Sequence, residues 1–331
     1  MRSKMSKASP SEKMQLEPLF GVNITPNADD ADEAFEISKI SDNLGIDLIS
    51  VQDHPYNGAF FDTWTLITAL AMSTRNAHLM TNVADVPLRH PPVLAKSAAT
   101  LDILTKGRVE LGIGAGAFWR AIAGYGGPSR IPAEAVGALE EAIQIIRLIW
   151  NIDDSNYTVT FDGKFYRLDG AQTGPHPFHP IRIWLGALGP KMLRLTGRLG
   201  DGWTPSYGYA PPDQIPQMQE IIDQSLAAAG RKTSDVRRNY NLAGIILESD
   251  SKSTEKKGRQ QHIKGEEEGG LIGSVDFWVD TIVKFYKDLR MNSFTFWPAN
   301  ESAEQIELFA KKVIPKVKED VKKQHLIPAT D

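Results

Sequence analysis

The chain has 331 residues, 37 Lys and Arg against 41 Asp and Glu for a formal net charge of −4, and no cysteine. The absence of thiols excludes disulfides, thiolate nucleophiles, iron–sulfur clusters and zinc–thiolate sites together. The near balance of charge argues against a partner nucleic acid held by phosphate neutralisation, and the ordinary share of apolar residues suffices for a large core.

Residues 1–18, MRSKMSKASPSEKMQLEP, are polar and basic, and read as a disordered tail ahead of one domain over 19–331. They lack the apolar run of ~7–15 residues that a signal peptide needs, and no window of the chain approaches the ~18 apolar residues of a spanning helix. The expectation is a cytoplasmic protein with no membrane partner.

From Leu19 onward short apolar runs alternate with amphipathic segments. Phe20 to Ile24 is the first strand, and the helix behind it carries Ala34, Ile37, Ile40 and Leu44 before stopping at Gly45. Asp47 to Val51 is the second strand, and Asp62 caps a helix through Leu66 and Leu70. His78 to Val83 is the third, followed by a helix that Pro91 and Pro92 open and Leu104 closes. Val109 to Ile113 is the fourth, and the long helix after it repeats Leu139, Ala142, Ile146 and Ile149.

Residues 151–180 break this rhythm. Tyr157 to Phe161, the turn Asp162-Gly163-Lys164 and Phe165 to Leu168 spell a β-hairpin insertion. The alternation resumes with strands at Ile181 to Leu185, Gly202 to Pro205, Tyr240 to Leu247 and Ser293 to Trp297, each with a helix behind it. Eight strand-then-helix units fit a single (β/α)8 barrel of the α/β class; a doubly wound sheet stays open, because periodicity does not give strand order.

In such a barrel the chemistry sits in the loops at the C-terminal ends of the strands. His54 follows strand two; its imidazole titrates near neutrality, Asp53 can bias it, and the alternative is a structural hydrogen bond at a strand end. The run Gly112-Ile113-Gly114-Ala115-Gly116 is either a tight strand–helix turn or a backbone that lets a flat or phosphorylated ligand approach. Gly186-Ala187-Leu188-Gly189-Pro190-Lys191 places glycines before a helix opened by Pro190, so free N–H groups and Lys191 could meet an anion; a plain glycine turn is the alternative. Barrel phosphate sites more often follow strands seven and eight. Residues 252–270, rich in charge and glycine, suggest either a mobile lid or a solvated loop.

No two histidines lie four apart on a helix, and no Asp/Glu/His cluster has ligand-like spacing. His176-Pro177-Phe178-His179 has no carboxylate nearby in sequence, so no metal is expected, and a metal-dependent hydrolase is the weakest of the rivals. No Gly-x-Ser-x-Gly elbow is present.

Three stretches in order, VQDHPYNGAFFDTWT, TNVADVPLRHPPVLAKSAATLDILTKGRVELGIGAGAF and IWLGALGPKMLRLTGRLGDGW, resemble the luciferase-like flavin monooxygenases and their deazaflavin-dependent relatives. The resemblance implies a (β/α)8 TIM barrel with an insertion before strand five and a mobile loop after strand seven. It implies that His54 is the catalytic group and that Asp53 contacts the cofactor. Asn82 and Val83 correspond to a bulge behind the ring, often with a non-prolyl cis peptide. Gly114, Ala115 and Gly116 correspond to the cofactor's polar tail, and Gly186, Ala187, Leu188, Gly189, Pro190 and Lys191 to its phosphate side.

Two positions depart from the family. Ala117 stands where the sugar-phosphate dehydrogenases of the deazaflavin branch carry a glutamate, and Ala115 where the light-emitting enzymes carry an arginine. Phe118, Trp119 and Tyr125 suggest an apolar or aromatic substrate pocket, or simple packing under the insertion. The expectation is therefore an oxidoreductase or monooxygenase using FMN, or alternatively F420, on a small-molecule substrate. The resemblance also implies a homodimer. The rival class is a family member that binds a flavin without turnover.

Overall fold

The computed structural model describes residues 16–151, 157–248, 270–300 and 302–325. Most of the expected tail and of the candidate lid therefore lies outside the described residues.

Eight parallel strands close on themselves: β1 (Leu19–Ile24), β2 (Leu48–Val51), β3 (His78–Thr81), β5 (Val109–Gly114), β8 (Ile183–Leu185), β9 (Gly202–Trp203), β10 (Arg237–Leu247) and β12 (Ser293–Pro298). Closure takes the pairing of β1 with β12, Leu19 opposite Ser293, together with that of β9 with β10, Gly202 opposite Arg237. The doubly wound alternative, which has open edges, is excluded. The short β4 (Ala84–Asp85) pairs with the end of β5, and β6 (Thr158–Asp162) with β7 (Arg167–Gln172) forms the separate antiparallel hairpin.

The helices lie outside the barrel and form where the apolar spacing put them. In α1 (Ala31–Asn43) Ala34 and Ile37 are buried. Asp62 Oδ1 accepts the Thr65 N–H at 2.9 Å and so starts α2 (Thr63–Ser73). Proline opens α3 (Pro91–Thr105), α5 (Pro132–Trp150) and α6 (Pro190–Leu199), where its missing N–H costs nothing. The hairpin is fastened to α5 by Glu141, whose carboxylate accepts the backbone N–H groups of Lys164, Phe165 and Tyr166 at 2.7–3.0 Å.

Several boundaries differ from expectation. The third strand stops at Thr81 and the chain re-pairs only at Ala84; between them the Asn82–Val83 peptide is cis, the feature the resemblance implied. Strand four runs on to Gly114, so this glycine belongs to the strand and not to the loop after it. Strand six ends at Trp203 rather than Pro205, and strand seven begins at Arg237 rather than Tyr240. A short helix, α4 (Trp119–Gly124), stands where only a loop was expected. Just after the candidate lid stands a strand that was not expected: β11 (Leu271–Ser274) lies parallel to Gly244–Leu247 of β10.

The outward faces of the strands pack under the helices through two large clusters, one around Phe20, Phe294 and Phe309, the other around Leu111, Ile146 and Ile183. The lumen is different. Leu48, Met80 and Trp184 plug its N-terminal half. Above them a buried layer of Asn23, Ser50, Asn82, Thr204, Asn239, Asn241 and Thr295 fills the C-terminal half. Asn82 Nδ2 donates to Asn241 Oδ1 at 2.9 Å, Asn239 Nδ2 to Thr204 Oγ1 at 3.0 Å, and Thr295 Oγ1 to Asn239 Oδ1 at 3.0 Å. Most of these amides and hydroxyls pair with one another without a net charge, which lowers the cost of burying them, while Asn23 Nδ2 is left without a partner.

Candidate active site at the barrel mouth

The candidate residues after strands two, three, four and five of the barrel meet because those strands are neighbours. β2 pairs with β3, β3 with β5 and β5 with β8. At about 4.8 Å per strand, three intervals span about 14 Å along the rim, the scale of a flat tricyclic ring with the start of its side chain. Sequence positions 54, 82, 114 and 186 thus become one quadrant of the mouth.

His54 stands in an aromatic nest. Its ring lies 5.7 Å from that of Phe118, edge to face, and 5.6 Å from that of Tyr56. Nδ1 is 2.8 Å from the Tyr56 hydroxyl. Burial pushes the imidazole's pKa below its usual value, and Asp53 draws only part of that back, so the ring is neutral at pH 7. The Tyr56 phenol is held protonated by burial, then by Asp85 and Asp53. A neutral imidazole paired with this phenol through Nδ1 leaves Nε2 as the ring nitrogen free for a substrate.

Asp53 has a different position from the one its neighbour suggests. It is 2% exposed, and its carboxylate is taken by protein groups: Arg89 Nε at 3.0 Å, Arg89 Nη2 at 2.7 Å and the Asp85 N–H at 2.9 Å. Arg89 reaches on to Asp62 at 2.7 Å, joining the N-cap of α2 to the rim. The two carboxylates hold the Arg89 guanidinium charged in spite of its burial.

Asp85 is the group that sequence reasoning missed. It is 6% exposed, and its Oδ1 is buried without a hydrogen-bond partner. Burial first, then the negative charge of Asp53, push its carboxyl up to about 7, against the pull of Arg89. A carboxyl that changes charge near neutrality, close enough to act on Tyr56, can hold or release a proton at working pH. No motif announces it. Polar residues at every second position of the strand ends, such as Ser50 and Asn82, were the available sign of a polar lumen.

The glycines divide into two uses. Gly114 and Gly186 flank the Val83 side chain, where an added Cβ would come within 2.9 and 3.1 Å of its methyl groups, and a Cβ on Gly112 would overlap the Thr81 carbonyl oxygen. These glycines make room for the bulge. Gly116, with φ of +89°, turns the chain from β5 towards α4, and Ala115 beside it is half-buried. Ala187 packs into the core, and its carbonyl accepts the Trp203 indole N–H at 2.9 Å. Leu188, Gly189, Pro190 and Lys191 are exposed, and no side chain caps α6. The N–H groups of its first turn are open to an anion, with Lys191 at hand.

One further expectation is overturned away from the mouth. His179 does have a carboxylate beside it: Nδ1 lies 2.8 Å from Oδ1 of Asp102, which is fully buried in α3. Their separation of 77 positions in the sequence hid the pair.

The fold and this rim define a single parallel (β/α)8 barrel whose polar groups gather at the C-terminal ends of its strands. The profile of the luciferase-like monooxygenases matches residues 14–291, and the chain belongs to that family. It is 31% identical over 219 residues to an F420-dependent glucose-6-phosphate dehydrogenase of Nocardia farcinica, covering 63% of each chain. It is 28% identical over 239 residues to a 5,10-methylenetetrahydromethanopterin reductase of Archaeoglobus fulgidus, covering 70% of this chain and 65% of that one. The matches thus span less than two thirds of these relatives' length. Among solved structures, an F420-dependent secondary alcohol dehydrogenase in complex with an F420–acetone adduct superposes with a TM-score of 0.78 at 20% identity, over 91% of this chain and 99% of that one. A monooxygenase from Streptomyces bottropensis gives 0.76 at 21% identity, over 90% and 99%. Among the described residues no helix is long and apolar enough to cross a membrane.

Proposed function

We propose that the chain is an oxidoreductase that binds F420, in preference to the FMN first expected, and moves a hydride between it and a small organic alcohol or carbonyl compound. The preference for F420 rests on the relatives at about 30% identity, which are F420-dependent by name. The residues present fit such a group. The uncapped start of α6 with Lys191 would take a phosphate, the Gly114–Gly116 segment offers backbone at the adjoining strand end, and Asn82 with Val83 would back the ring. When bound, F420 supplies two-electron hydride chemistry, and the protein supplies position and proton handling.

The observation that carries this reading is the buried His54 imidazole paired with the Tyr56 hydroxyl, which in turn feels Asp85, a carboxyl that titrates near 7. A proton must leave or join the substrate oxygen as hydride moves; His54 would exchange it, with Tyr56 paired to Nδ1 of its ring. Asp85 then takes the acid role that Ala117 leaves empty. Phe118 is 53% exposed and edges onto His54, and Tyr125 is also exposed. An apolar or aromatic substrate suits that wall better than a sugar phosphate.

The test is a fluorescence titration of the purified chain with F420 and, separately, with FMN. F420 should bind at least ten-fold more tightly, since ~1.4 kcal/mol of selective contact suffices for that ratio. FMN binding as tight as F420 would overturn the cofactor assignment, and binding of neither would overturn the whole reading.

Asp85 makes a separate prediction in pH. Its folded carboxyl is raised from 3.8 to about 7, so the unfolded chain loses this proton first. The stability from this group is complete below about pH 4 and is lost as pH rises through about 7. Asp85→Asn removes that slope: the variant should match the parent near pH 4 and exceed it by on the order of 2 kcal/mol at pH 8 in urea unfolding. The limb of kcat near pH 7 should vanish with it. Equal pH dependence in both proteins would assign Asp85 an ordinary carboxyl.

A further inference from the structure

The opposite, N-terminal end of the barrel holds a cluster that the proposed reaction does not use. His78 opens β3, Glu110 is the second residue of β5, and His179 lies in the segment that returns from the hairpin to β8. Each offers a ligand atom, and the three atoms lie within 4.8 Å of one another. Among the described residues no other group of three His, Asp or Glu does so.

Each ligand is oriented by a neighbour. Asp102 Oδ1 accepts the Nδ1 proton of His179 at 2.8 Å, and Asp102 Oδ2 accepts the His179 backbone N–H at 3.0 Å. That places the imidazole lone pair on Nε2, an atom that is buried and has no hydrogen-bond partner. A carboxylate that fixes the tautomer and aims the other ring nitrogen is the usual support for a metal-bound histidine. Glu110 is fixed in the same manner: Trp184 Nε1 donates to Oε2 at 2.9 Å, leaving Oε1 at 3.6 Å from His78 Nδ1. The His78 side chain is 41% exposed, so it is reachable from solvent and free to turn.

We propose that His78, Glu110 and His179 bind one divalent transition-metal ion of the zinc class, with water in the remaining position. Ligand bonds of about 2.0–2.2 Å in a tetrahedron set the ligand atoms about 3.4 Å apart, so the cluster has to contract by about 1 Å, within reach of a turn of His78. Two imidazoles and one carboxylate suit zinc better than magnesium or calcium, which favour oxygen ligands. Arg237 feels the charge of Glu110 and also stands near Arg182, so positive charge already reaches this end of the barrel. The two imidazoles, and not carboxylate charge alone, therefore decide the affinity. The ion would tie β3 and β5 to the chain that returns from the hairpin, a structural clip at the barrel floor.

The test uses the full chain, stripped with chelator and titrated with zinc sulfate by calorimetry, with cobalt(II) absorption as a second readout. One zinc per chain should bind and raise the thermal midpoint. His78→Ala, at a half-exposed position, and Glu110→Gln, which keeps an acceptor for Trp184, should each weaken binding by at least about ten-fold. His54→Ala should leave it unchanged. Absence of stoichiometric binding, or equal binding in the parent and both variants, would overturn the site. So would a cobalt complex whose spectrum is unaffected by His78→Ala.

Discussion

His54→Ala should lower kcat by about 10²–10⁴-fold, the range that a positioned general acid or base supplies. Cofactor affinity should stay within a few-fold of the parent, because the ring's contacts are with Tyr56, Phe60 and Phe118 and not with the rim backbone at Gly186 to Lys191. The sign of the pH dependence follows from burial. The imidazole is most competent when neutral, its pKa lies below the usual value, and the parent should keep its rate down to a pH below 6.5 before losing it. That acidic limb should be absent in the variant. Tyr56→Phe removes the partner of Nδ1 but no proton-transfer group, so its loss should be smaller and accompanied by a shift of the same limb. Single-turnover kinetics with F420 separates these effects from binding. An unchanged kcat in His54→Ala would show His54 to be a strand-end support and would remove the reaction's proton carrier.

Gly112→Ala should destabilise the protein by about 3 kcal/mol or more, at or beyond the upper end for an overpacked core. The new methyl would overlap the Thr81 carbonyl oxygen, a backbone atom, and press on the Val83 side chain. A flexible side chain could move aside; the Thr81 carbonyl cannot do so without moving Asn82. Asn82 in turn is held by Asn241 and Thr204, so the disturbance enters the polar layer of the lumen. Cofactor affinity should fall together with stability. Gly189→Ala is the contrasting variant: nothing lies within 4 Å of the added carbon, and φ is −75°, open to any residue. Urea unfolding of the two variants beside the parent checks the pair. Similar midpoints for Gly112→Ala and the parent would mean that β3 and β5 yield far more easily than their packing implies.

Much of the rim could be read before the structure, because loops after strands are a local property once the strands are known. His54, Gly116 and Gly186 each follow an apolar run, and the barrel rule turns that into a place at the mouth. Tyr56 stood two residues from His54, yet nothing in the spacing said that its hydroxyl would meet Nδ1. Asp85 was concealed more deeply. Its raised pKa needs Asp53, 32 residues away, and the burial that the β4–β5 pairing provides. Arg89 belongs to the same set: as a charge in a list it is ordinary, but in the folded rim it joins Asp53 to Asp62.

The amino-acid order by itself settled the alternation of strands and helices, because side-chain periods of two and 3.6 are set by neighbours along the chain. It also settled the missing thiols, which exclude disulfides and redox centres held by cysteine. Closure of the sheet decided the rest. The pairings of β1 with β12 and of β9 with β10 together distinguish a barrel from an open sheet, and that closure puts Asn23, Asn82, Asn241 and Thr295 into one layer. The physical reason is range: propensity acts over a few residues, whereas a pKa, a buried amide network or a His–Glu–His cluster depends on atoms that meet only when distant segments are packed.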